Sequence, residues 1–124
     1  MKATELMIGN WVYLPDMSTG KEYPARLDEN FIYDAKYAEP IPLTPEILEK
    51  NGFKGDGYLF LEIDDFSYLE YYPFEHRLRK WWHGVDEWEN HSETKDITFQ
   101  CNCHYVHELQ NALKLCKIEK EIEL

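Results

Sequence analysis

Apolar and polar positions change period several times along the chain, and each change marks an element. Residues 7–14 alternate roughly, with Ile8, Trp11, Val12 and Tyr13 among β-prone types, and stop at Pro15-Asp16, a turn signal. Segments 21–27 and 31–37 are further strand candidates, and Asp28-Glu29-Asn30 between them suits a tight reversal because Asn tolerates a left-handed backbone. Together they predict a small antiparallel sheet or an SH3-like partial barrel. Pro40-Ile41-Pro42-Leu43 must run extended, since each proline lacks a donor and pushes its predecessor out of the helical region. A short helix follows: Thr44 caps it, Pro45 fits its first position, Glu46 favours its positive end, and Gly52 after Asn51 stops it, with Ile47 and Leu48 facing the core.

Segments 57–63 and 66–72 read as a hairpin around Asp64-Asp65, with apolar and aromatic side chains frequent on both faces. Residues 76–82 add a third strand. Residues 84–95 are polar apart from Val85 and Trp88 and read as a loop; 97–103 return as a strand. A C-terminal helix starts near Tyr105, with Val106, Leu109, Leu113 and Cys116 on one stripe, and Ile118 and Ile122 either extend it or belong to a frayed charged tail. The expected fold class is α+β in a single domain, 1–124, with strands in 1–44 and helix, hairpin strands and C-terminal helix in 45–124.

Composition supports an independent core. With 44% apolar and 15% aromatic residues in 124, large buried side chains can offset the entropy lost on folding, and no repeat or low-complexity linker suggests a second domain. No apolar run reaches the roughly 18–20 residues that span a bilayer, and the first residues lack a secretion signal. Cys101, Cys103 and Cys116 are an odd set that reads as reduced thiols, so the expected location is cytoplasmic, with no membrane partner. The net charge of -11 disfavours nucleic acid or anionic lipid over the surface as a whole, though a local basic patch escapes that rule.

Three fragments carry a likeness: Ile8-Gly9-Asn10-Trp11-Val12; Pro40-Ile41-Pro42-Leu43-Thr44 with Asn51-Gly52-Phe53 after it; and Tyr105-Val106-His107-Glu108-Leu109-Gln110-Asn111. In order and spacing the chain resembles a family of short uncharacterised phage- and prophage-associated proteins of anaerobic gut bacteria. The resemblance implies an association with mobile DNA and no particular activity. The family pattern does not depend on the cysteines, and it ends in a shorter, more apolar helix than residues 114–124 form here.

Several constellations could carry chemistry. Cys101, Cys103, His104 and His107 are zinc-type ligands, but the Cys-x-Cys spacing lacks the second pair that structural zinc sites use, so no metal or other cofactor is expected and packed thiols are the leading reading. His107, Gln110 and Asn111 lie together on the final helix, able either to fix a peptide or a neighbouring loop or, the favoured role, to cap backbone groups inside the fold. In the basic run from Arg77 to His83, a strand places Arg77, Arg79 and Trp81 on one face and Leu78, Lys80 and Trp82 on the other. That pattern suits either a stacking platform for single-stranded nucleic acid or a protected edge strand. The acids Glu62, Asp64, Asp65, Asp86, Glu87, Glu89, Glu119, Glu121 and Glu123 could imitate a phosphate backbone, but Lys and Arg interrupt them. Adjacent Asp64 and Asp65 diverge too much for a catalytic pair, and no phosphate loop, nucleophile elbow or dinucleotide fingerprint occurs. The expected function is a non-enzymatic accessory or protein-interaction domain of a phage-related element, using Trp81, Trp82, His107, Gln110 and Asn111, with exposed-looking Trp81, Trp88 and Tyr105 as anchors. The alternatives are an acidic nucleic-acid mimic that inhibits a host DNA-binding protein and a small metal-binding domain.

Overall fold

The computed structural model describes residues 6–28, 37–85 and 91–124, and for 83–85 and 91–95 the backbone alone. In chain order the elements are β1 (Trp11–Pro15), β2 (Glu22–Arg26), α1 (Pro45–Lys50), β3 (Leu59–Glu62), β4 (Ser67–Tyr72), β5 (Arg77–Val85), β6 (His91–Asn102) and α2 (Val106–Leu115). The class is α+β: β1 and β2 form a two-stranded antiparallel sheet, and β3-β4-β5-β6 form a four-stranded antiparallel one. No helix among the described residues is long and apolar enough to cross a membrane.

The expected first strand starts late, at Trp11, because residues 7–10 turn instead. Asn10 N–H donates to the Met7 carbonyl at 3.1 Å and Gly9 sits at φ +94°, the third position of a type II turn, where a side chain would be strained. Tyr13 also pairs with Glu39 in an isolated bridge. The strand expected over 31–37 lies outside the described residues except for Tyr37, which is in a turn.

α1 matches its sequence signals at both ends. Thr44 Oγ1 accepts from Ile47 N–H at 3.3 Å, and Gly52, at φ +95°, ends the helix as Gly52 and Phe53 N–H donate to the Glu49 and Leu48 carbonyls. α2 ends in the same way with a less favourable residue. Lys117 and Ile118 N–H reach the Lys114 and Leu113 carbonyls, and Lys117 takes φ +58° where glycine is usual. That lysine hid the stop: residues 118–124 neither extend α2 nor fray.

The inner face of the large sheet carries Leu59 and Leu61, Leu69 and Tyr71, Leu78, then Phe99 and Cys101. Against it pack Leu48 of α1, Val106, Leu109, Ala112 and Leu113 of α2, and Ile122 from the tail. A smaller cluster, Leu6, Val12, Leu27 and Ala38, lies behind the N-terminal sheet. At roughly 25 cal/mol per Å² of apolar area, each fully buried Leu is worth about 1.5–3 kcal/mol. Burial of the α2 stripe therefore orients that helix.

One expectation is corrected by the sheet. The polarity of residues 84–95 predicts a loop, yet β5 runs to Val85 and β6 begins at His91; residues 86–90 lie outside the described ones. The antiparallel ladder satisfies backbone groups whatever the side chains are, so a long two-stranded arm need not advertise itself by apolar alternation. Irregularities between Lys80 and Trp81 and between His83 and Val85 further scramble the period, and Thr98 Oγ1 contacts the Lys80 carbonyl at 3.3 Å where the first one falls.

Relieving the left-handed lysine gives a clean test of the α2 stop. Lys117→Gly is expected to stabilise the protein by about 0.5–1 kcal/mol in chemical denaturation, and an unchanged or lowered midpoint contradicts this account of the helix end.

Candidate functional site

The polar trio on α2 faces inward. Gln110 Oε1 accepts from Trp11 N–H at 2.8 Å while its Nε2 donates to the Gly9 carbonyl at 3.0 Å, so the amide substitutes for a neighbouring strand. Asn111 Oδ1 accepts from Nδ2 of Asn10, itself fully buried, at 2.9 Å, and Asn10 Oδ1 accepts from Met7 N–H at 2.7 Å. Lys114 Nζ adds a bond to the Ile8 carbonyl at 3.1 Å. Gln110 thus caps backbone groups at Gly9 and Trp11, the role favoured from sequence, while Asn111 pairs with the Asn10 side chain. His107 is buried, its ring parallel to Tyr105 with centroids 5.9 Å apart.

The proline segment, the start of α2 and the residues after α1 are also joints. The Val106 N–H donates to the Ile41 carbonyl and the Leu43 N–H to the His104 carbonyl, both at 2.9 Å, so the proline segment runs against the entry to α2. Glu108 Oε1 accepts from His104 and Tyr105 N–H, satisfying donors at that helix start. Asn51 Nδ2 donates to the Glu123 carbonyl at 2.7 Å, and its Oδ1 accepts from Glu123 N–H at 2.8 Å, clamping the tail. Trp11 Nε1 reaches the Ile122 carbonyl at 2.7 Å.

The two cysteine sulfurs lie 3.5 Å apart, but the four zinc-type residues do not form one cluster. His104 stacks on His76 with centroids 4.4 Å apart, whereas His107 lies beneath Tyr105, and no group of three or more His, Cys, Asp or Glu side chains among the described residues is arranged to hold a metal. The acids are dispersed in role. Asp64 Oδ1 caps the β3–β4 turn through Phe66 N–H at 2.8 Å and Ser67 Oγ at 2.9 Å, and these bonds, the Phe66 one first, hold its pKa below the ordinary value. Glu121 faces Arg26 at 3.7 Å. Asp86, Glu87 and Glu89, together with Trp88, lie outside the described residues.

The outer face of the large sheet is different in kind. Register sets Phe60, Glu70, Arg79 and Gln100 in one row and Glu62, Tyr68, Trp81 and Ile97 in the next, with Tyr72 and Arg77 beyond. Aromatic rings run across it: Tyr58 meets Tyr72 at 5.0 Å and Phe60 at 6.0 Å, Phe60 meets Tyr68 at 5.9 Å, and Tyr68 meets Trp81 at 6.5 Å between centroids. Tyr58 is 50% exposed and Phe60 37%, so this is open surface and not a second core. The expected division of β5 holds, with Trp81 here and Leu78 buried on the other face; Trp82 follows the inner side but is exposed near its end.

Glu70 is the anchor under these rings. It is buried, accepts from Trp81 Nε1 at 3.1 Å and from the Tyr72 hydroxyl, and thereby fixes two aromatic side chains. Arg79 lies over the Tyr72 ring at 5.2 Å and donates from Nε to Gln100 Oε1 at 3.0 Å. Sequence reading found Trp81, Arg77 and Arg79 but missed Tyr58, Phe60, Tyr68 and Tyr72. The signal was present, because aromatics on both faces of a hairpin exceed what one core can bury.

Comparison with known protein families, with curated proteins and with solved structures finds no match to this chain.

The Tyr72–Glu70 bond carries a pH dependence. Hydrogen bonding to Glu70 first, then burial, pushes the Tyr72 phenol from 10.0 up to about 12. Because the unfolded phenol ionises first, this stabilisation is complete below pH 10 and is lost as pH rises from 10 through about 12. Carbon NMR of Tyr72 is expected to show its ring titrating well above an ordinary tyrosine, and a titration at the ordinary value contradicts the bond.

Proposed function

We propose that the chain is a non-enzymatic accessory, a protein-interaction domain, whose docking surface is the outer face of the β3–β6 sheet. One observation carries the reading: Tyr58, Phe60, Tyr68, Tyr72 and Trp81 form a connected aromatic strip on open surface, ordered from beneath by Glu70. Tyr and Trp with Arg are the residues that anchor protein interfaces, because they bury large area at small entropic cost. The partner that fits is a protein whose apolar contact strip is flanked by carboxylates opposite Arg77 and Arg79. The resemblance of the three sequence fragments to phage-associated proteins supports placing this accessory in a phage-related element.

The arginines favour protein over nucleic acid. Among the described side chains of the four strands, Arg77 and Arg79 are the cations on this face and share it with Glu62 and Glu70, too few for a track along a phosphate chain. The acidic-mimic alternative needs one continuous anionic face, whereas Asp64 serves a turn and Glu121 serves Arg26.

Paired affinity capture from the native cell tests this. The wild-type chain and a Tyr58→Ser/Arg79→Glu variant, which leaves both Glu70 bonds in place, are compared at low and high salt. A partner held by the wild type in high salt and weakened tenfold or more, about 1.4 kcal/mol, by the variant is expected. Identical recovery by both forms, no partner at all, a salt-sensitive complex with a DNA-binding protein, or binding of a single-stranded oligonucleotide overturns it.

A further inference from the structure

A second surface lies between β6 and α2, away from the aromatic strip. It is a groove of about 370 Å³ lined by Phe99, Cys101, Asn102, His107, Glu108 and Asn111, with Ala112 and Leu115 completing its apolar side. Cys101 is half-buried in its wall, and its sulfur lies 3.5 Å from that of Cys103, which is fully buried behind it. The two side chains project to one side because they are separated by a single residue at the end of a strand. Cys103 is fixed by its backbone: its N–H donates to the His76 carbonyl at 2.6 Å and its carbonyl accepts from Tyr71 Oη at 2.7 Å.

We propose that Cys101 and Cys103 are a dithiol that exchanges with disulfides of low-molecular-weight thiols entering this groove, passing from two free thiols to an internal Cys101–Cys103 disulfide. The inequality of the two sulfurs assigns their roles. The hydrogen bond from Cys103 favours the Cys101 thiolate against the opposing effects of burial and Glu108, while the same bond and burial push the Cys103 thiol strongly up. Cys101, on the groove, attacks one sulfur of the incoming disulfide RS–SR′, forming Cys101–S–S–R and releasing R′S⁻, which takes up the proton that Cys101 gave. Cys103 then attacks the Cys101 sulfur and forms the internal bond. RS⁻ leaves with the Cys103 proton. The protein gives up two electrons and two protons, and the disulfide is reduced to two thiols. Bond formation closes the sulfurs from 3.5 Å to roughly 2.05 Å.

Oxidised glutathione is the probe, and intact-mass spectrometry with peptide mapping is the readout. The wild type and Cys116→Ser are expected to lose two hydrogens, map to a Cys101–Cys103 bridge and retain no glutathione. Cys103→Ser, with Cys103→Ala as the second variant should serine disturb the core, is expected to trap glutathione on Cys101 at least tenfold more than the wild type does. Recovery of both thiols unreacted in the folded wild type, a persisting wild-type adduct, or a Cys101–Cys116 bridge would overturn the proposal.

Discussion

The turn and first strand, from Met7 to Trp11, are joined to α2 by a set of side-chain amides. Asn10 is wholly buried, and a buried primary amide costs several kcal/mol unless its groups are bonded. Its carbonyl holds the turn at Met7 and its nitrogen meets Asn111, while Gln110 bridges the backbone on either side, at Gly9 and Trp11. The arrangement specifies register as well as attachment. If β1 slipped by one residue, the two amides of α2 would face the wrong donors and acceptors, and Val12 would leave its cluster. The turn at Ile8-Gly9 exists to present those groups.

The same device recurs at the other end of the chain. Asn51, just past α1, pairs with Glu123 as one strand pairs with another, and Trp11 and Arg26 reach the Ile122 carbonyl at 2.7 and 3.4 Å. Ile122 is thereby set into the main core, and the tail joins α1 to the N-terminal sheet. Amide side chains do here what additional strands do in larger sheets. The cost is specificity of sequence, because each amide has one geometry in which all its groups are satisfied. Two faces are left over, the aromatic strip and the thiol groove, and the groove shares Asn111 and Glu108 with those joints.

Elements with a local cause were legible. Thr44, Pro45 and Gly52 state both ends of α1, the Asp64-Asp65 reversal states a hairpin, and Val106, Leu109 and Leu113 state the buried stripe of α2. What depended on a distant partner was not. The length of β5 and β6 comes from mutual pairing through polar residues, the tail from contacts with Asn51 and Trp11, and the burial of Asn10 from an amide 101 positions away. Gln110 and Asn111 stood out as a polar pair beside an apolar stripe, but only the fold distinguishes a pair that grips its own chain from one offered to a ligand. The aromatic face was half legible: alternation assigned Trp81, Arg77 and Arg79 to one side of β5, and the missing step was to count the aromatics of β3 and β4 that share that side.

The claim that these amides hold the N-terminal sheet to α2 is tested most directly by a double-mutant cycle on Asn10→Ala and Asn111→Ala, with stability read by chemical denaturation. The account predicts that each single change is costly and that the pair couples by about 1 kcal/mol or more, as contacting buried polar groups do. Additive effects, with a coupling indistinguishable from zero, would contradict it.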